Sequence, residues 1–196
     1  MEKAFDFDFV FDTQFVFRKL LDAIAKPMTI ESIDKLKNSF PENAFLTALG
    51  CTFLDNGAEM YVEKNTTLAD TLAGLTLSKQ TDIENADYIF LTSELNYETI
   101  KTIFEKAKKG TLPDPHKSAT IIISCHSFEG NEDITVVSPG IKGAYNGKTS
   151  KYIKTILEIK QQLACEYPCG IDLFFISDKG DIFAYPRLAR LTKEEK

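Results

Sequence analysis

Apolar and polar residues change their period several times along this chain, and each change marks an element. Phe5 to Asp12, FDFDFVFD, alternates aromatic and acid, the period-2 pattern of an extended segment with one apolar face. Residues 1–12 are therefore expected to form an extended N-terminal arm, packed on its own domain or exchanged with a partner subunit. From Thr13 the period lengthens, because Phe17, Leu20, Leu21 and Ile24 fall at i, i+3, i+4 and i+7. That spacing predicts an amphipathic helix capped by Asp12 or Thr13 and ended by Pro27, which donates no amide hydrogen bond. Gln14 and Arg18 lie one turn apart on a different face.

Further helices are predicted from about Asn43 to Leu54, over NTTLADTLAGL with Thr66 or Thr67 as cap, over ELNYETIKTIFEKAKKG ending at Gly110, and over KYIKTILEIKQQLACEY. Between them EMYVE, DYIFL, ATIIISC and DITVVS read as strands, and IDLFFIS and DIFAYP as a hairpin turning at Asp178-Lys179-Gly180. Helices alternate with strands over most of the chain before strands cluster. The expected fold class is therefore α/β, a layered single domain over residues 1–196 with a mixed β-sheet flanked by helices.

Composition narrows the function. The chain has 196 residues, 43% of them hydrophobic, enough for a sizeable core. A net charge of -6 argues against non-specific nucleic-acid binding, which needs an excess of Lys and Arg over the phosphates. No apolar run approaches the ~20 residues that span a bilayer, and MEKAFDFDF carries acids where a signal peptide carries bases. A soluble, cytoplasmic protein with neither membrane nor nucleic acid as partner is expected.

Cys51, Cys125, Cys165 and Cys169 are read as free thiols, with no metal site expected. A zinc set of Cys125, His126, Cys165 and Cys169 is the sharper alternative, weakened by a C-x3-C spacing that lacks a second knuckle. The phosphate-binding G-x-x-x-x-G-K-[ST], the dinucleotide G-x-G-x-x-G and the nucleophile elbow are absent. His116 and His126 are the only histidines. Ser124-Cys125-His126 gathers reactive types, but neighbours on a strand point to opposite faces. In SPGIKGAYNGKTSK, residues 138–151, three glycines with Lys142, Lys148 and Lys151 form a candidate anion-binding loop, or simply a solvated one. Asp172 lies between Ile171 and Leu173 in an apolar strand, a place a carboxylate occupies only when paired with a cation, bonded to backbone, or at the strand end. Arg187, Arg190 and Arg18 are the candidate partners.

Gln14-x-x-Phe17-Arg18-x-Leu20-Leu21-x-Ala23 with Pro27, then LTALGCTFLDN, GTLPDP, TIIIS, SPGI, YPCGIDLFF and AYPR, occur in the order found in the PhnH family. The chain resembles that family, a subunit of the bacterial carbon-phosphorus lyase system, over almost its entire length. Met28 stands where the family usually has glycine, and SPGI stands for its more usual GPGI. The resemblance implies a fold similar to pyridoxal-phosphate-dependent transferases without that cofactor or its lysine. It implies a homodimer that joins PhnG, PhnI and PhnJ companions in a core complex, where a phosphonate displaces adenine from ATP to give a ribose 1-phosphonate 5-triphosphate. The glycosyl transfer is attributed mainly to PhnI, so this chain is expected to be an accessory subunit without catalytic residue or cofactor of its own. On that reading Gln14, Phe17, Arg18, Pro27, Gly140, Gly170, Asp172, Pro186 and Arg187 belong to the framework or an interface. The competing expectation is an independent small-molecule enzyme or anion-binding protein that uses the 138–151 loop.

Overall fold

The computed structural model describes residues 5–192. Residues 1–4 of the expected arm lie outside the described residues. A seven-stranded mixed sheet has the order β1-β9-β8-β5-β4-β2-β3. Its members are β1 (Glu31–Ser32), β2 (Glu59–Glu63), β3 (Lys79–Gln80), β4 (Tyr88–Leu91), β5 (Thr120–Cys125), β8 (Asp172–Ser177) and β9 (Asp181–Tyr185). β2, β3, β4, β5 and β8 run parallel, while β9 is antiparallel to both of its neighbours, β8 and β1. The central strands are apolar on both faces because helices cover both. α1 (Phe11–Ala25), α2 (Ala44–Phe53) and α3 (Thr66–Thr76) pack with Phe90, Ile122 and Phe174 on one face. On the other, α4 (Tyr97–Lys106) and α5 (Lys151–Gln161) pack with Ile89, Ile121 and Leu173. A small antiparallel sheet, β10-β6-β7, made of β6 (Glu132–Val137), β7 (Tyr145–Thr149) and β10 (Arg190–Leu191), closes the second layer.

Several expectations are corrected. The expected arm is shorter than residues 1–12: Phe5 to Asp8 alternate inward and exposed, then the chain turns at residues 9–10 and enters α1 at Phe11, two residues before the expected start. Asp8, not Asp12 or Thr13, holds that start, its Oδ1 accepting the amides of Val10 and Phe11. Phe7 is buried, and the rings of Phe5 and Phe7 pack on Phe40 of the same chain. α3 is capped by Asn65 rather than by a threonine. α4 stops at Lys106, short of Gly110, and α5 stops at Gln161 rather than running to Tyr167. Residues Tyr145–Thr149 of the expected 138–151 loop form strand β7.

Among the described residues no helix is long and apolar enough to cross a membrane.

Candidate functional site

The pairing of Leu173 with Tyr185 in the β8–β9 hairpin carries the chain after β9 back alongside the start of β8. There Asp172 accepts the backbone N–H of Arg187 at 2.7 Å on Oδ1 and its Nε–H at 3.0 Å on Oδ2. The Arg187 Nη2 group donates to the same oxygen, and Nη1 donates to the Pro115 carbonyl. One carboxylate thus anchors both the main chain and the side chain of Arg187, which is how an acid is accommodated beside Ile171 and Leu173. Arg18 and Arg190 take no part in this pair. Gly170 belongs to the same packing, since its backbone is at φ +146° and an added Cβ would stand 3.2 Å from the Arg187 Cβ.

Directly beside this clamp is a residue that sequence reasoning passed over. Lys160 is 7% exposed, and its Nζ donates to the carbonyls of Pro186, Arg187 and Ala189 at 3.0, 3.1 and 3.3 Å. The ammonium also stands 4.5 Å from the centre of the Tyr185 ring. Burial pushes its pKa down to about 7, against a smaller upward pull from Asp172. The signal was available: residue 160 continues the i, i+3, i+4, i+7 series of Ile153, Ile156 and Leu157, and a lysine on that stripe must find acceptors inside.

Gln14, Phe17 and Arg18 lie apart from this cluster, exposed on α1. The expected stripe of Phe17, Leu20, Leu21 and Ile24 does not face the core as a unit: Val16, Leu20 and Ala23 are buried, while Phe17 is 55% and Leu21 52% exposed. The helix is apolar around more than half its circumference, and the sheet takes only one side of it. Val10, Phe17 and Leu21 follow i, i+7 and i+11, so these unburied apolar residues line up beside Gln14 and Arg18. At the end of α1, Pro27 packs against Gly140, where an added Cβ would lie 2.4 Å from the Ala25 carbonyl oxygen and 2.9 Å from Pro27 Cδ. Met28 is held at φ 68°, a left-handed backbone that favours glycine, with its side chain buried.

Open α/β sheets usually bind ligands outside the carboxyl ends of their parallel strands. At that edge His126 follows β5 and Asp178 follows β8, and Nδ1 of the ring meets Asp178 Oδ2 at 2.9 Å. The His126 backbone N–H donates to Glu94 Oε1 at 3.3 Å. Asp178, by hydrogen bond and charge, holds the imidazole above its ordinary pKa, with Glu94 adding to the effect. Asp178→Asn is expected to lower the His126 midpoint in an NMR pH titration, and an unchanged midpoint would refute the pairing. A cavity of about 320 Å³ opens nearby, lined in part by Thr92, Ser124, Asp178 and the first turn of α2. Ser124 and Cys125 build no relay with His126: Cys125 is buried on the opposite side of the strand, and burial pushes its thiol up to about 12.

The zinc alternative is dispersed, because Cys165 and Cys169 lie by Gly170 at the amino end of β8 while Cys125 pairs with Ser177 at its carboxyl end. All four cysteines are free. Among the described residues no group of three His, Cys, Asp or Glu is placed to hold a metal ion. In the 138–151 segment, Lys142, Lys148 and Lys151 are all exposed. Lys148 sits on β7 at 3.9 Å from Asp133, and Lys151 opens α5 behind the Ser150 cap. The three lysines are thus spread over a turn, a strand and a helix start instead of one loop.

Comparison with known proteins adds one positive finding. The family model described as bacterial phosphonate metabolism protein (PhnH) matches residues 4–192. No curated protein matches the chain.

Proposed function

The chain belongs to the PhnH family of bacterial phosphonate metabolism proteins, and from that premise we propose that it is an accessory subunit of a carbon-phosphorus lyase core complex. In this reading it is a cytoplasmic homodimer-forming chain that meets PhnG-, PhnI- and PhnJ-type companions. It supports formation of ribose 1-phosphonate 5-triphosphate from ATP and a phosphonate without supplying the reacting groups, on a fold similar to pyridoxal-phosphate-dependent transferases. The observation that carries the reading is the family match over nearly the whole chain. The exposed stripe on α1 supports it, because contiguous apolar surface rimmed by polar groups such as Gln14 and Arg18 is characteristic of interfaces. Asp172, Arg187, Gly170, Pro27 and Gly140 serve the framework in this proposal.

Co-expression of the tagged chain with its PhnG-, PhnI- and PhnJ-type companions, followed by native mass spectrometry, tests it. A stoichiometric complex is expected, and a persistent lone monomer or dimer would sink the reading. Phe17→Asp with Leu21→Asp should leave the far-ultraviolet spectrum unchanged, since both side chains are exposed, yet weaken assembly at least about tenfold. Undiminished assembly would move the interface off α1. If no complex forms, phosphate and phosphonate binding by the 138–151 segment becomes the reading to measure.

A further inference from the structure

Two cysteines that the clamp does not use lie beside it. Cys165 and Cys169, both half-buried, line one small cavity of about 20 Å³ together with Lys160, Gly170 and Arg187. A space of that size holds about one water molecule, and both thiols border it. The chain between the thiols is already folded back, because the Cys169 N–H donates to the Glu166 carbonyl at 2.7 Å and closes a turn. Such a turn brings the Cα atoms of residues 166 and 169 within ~7 Å, and Cys165 directly precedes it. Cys51 on α2 and the buried Cys125 on β5 lie on other elements and do not line this cavity.

We propose that Cys165 and Cys169 are a disulfide-forming pair, oxidised by a low-molecular-weight disulfide, and that the bridge straps the α5–β8 connection against Arg187. The proposal does not depend on the accessory-subunit reading. One cysteine thiolate attacks a sulfur of the small disulfide and releases one small thiolate, leaving a mixed disulfide on the protein. The second cysteine thiolate then attacks the protein-side sulfur of that bond and releases the other. The protein loses two electrons and two thiol protons, and the small disulfide gains two electrons as two thiols. Gly170 follows Cys169 directly and rests on Arg187, so fixing the loop fixes that contact.

The full-length chain, equilibrated across ratios of glutathione to glutathione disulfide, quenched in acid, alkylated and digested, gives the test. Under oxidising ratios the peptide with both cysteines is expected to be lighter by about 2 Da, the two thiol hydrogens, and to take up no alkylating group. Cys51 and Cys125 should alkylate throughout. Oxidation should also slow amide exchange over residues 186–191, and Cys165→Ser and Cys169→Ser should each abolish both effects. Complete alkylation of both cysteines at the most oxidising ratio overturns the proposal, as does stable glutathionylation of one without ring closure, or a bridge to a second chain. A bridge that leaves exchange over 186–191 unchanged overturns the strap against Arg187.

Discussion

Asp172→Ala is expected to lower the unfolding free energy by about 3 kcal/mol, the lower end of the cost of removing one partner from a buried ion pair. The lower end applies because the Asp172 and Arg187 side chains retain 14% and 23% of their exposure, so water can partly solvate an orphaned guanidinium. The loss is nonetheless large, since the carboxylate also accepts the Arg187 backbone N–H, and alanine leaves that donor without its acceptor. For a chain of this length the midpoint of thermal unfolding should fall by roughly 6–12 °C. Asp172→Asn keeps an acceptor for the amide but loses the charge, so it should fall between alanine and wild type. A double-mutant cycle of Asp172→Asn with Arg187→Met, read by urea unfolding, isolates the ionic part and should give a coupling of at least about 1 kcal/mol. Additive single losses would show that the carboxylate acts only as a backbone anchor.

That clamp also shows which features the sequence made legible. Asp172 stood out as a charge in an apolar strand, and its partner Arg187 was one of three candidate arginines, with Arg190 and Arg18. The buried strands were readable for the same reason: β5 and β8 are continuous apolar runs that only a covered sheet accommodates. β7 was not, because Tyr145-Asn146-Gly147-Lys148-Thr149 has neither strict alternation nor an apolar run. Its strand character comes from hydrogen bonding to β6, a partner that local periodicity does not encode. α1 was recognised as a helix but its core face was misread, since apolar residues occupy more than half of its circumference and the sheet selects the side. Pro27 read as a helix terminator and Gly140 as part of a glycine-rich loop more than a hundred residues away, and their contact is a tertiary fact that neither local pattern encodes. The same holds for Lys160, whose anomaly on the α5 stripe was visible but whose acceptors lie 26, 27 and 29 residues further on.

Lys160→Met should therefore have an effect that changes with pH. The folded-state pKa, about 7, lies below the value of about 10.4 for an unfolded lysine, so between these limits the unfolded chain binds the proton more tightly. The wild-type contribution is lowest below pH 7, where the buried group must be charged, and it rises as pH increases towards 10. Methionine fills a similar volume and carries no proton, so its variant lacks this slope. At pH 9 the folded lysine is neutral and donates to the turn carbonyls without the charge penalty, and its loss should cost about 2–3 kcal/mol. By pH 6 the cost of burying the ammonium offsets those hydrogen bonds, and the difference between variant and wild type should shrink by about 2 kcal/mol. Urea denaturation of both proteins at pH 6, 7.5 and 9 reads this directly. A difference that stays constant across the three pH values would mean that the three carbonyls solvate the ammonium well enough to keep it protonated throughout, making Lys160 a permanently charged bolt on the 186–189 turn.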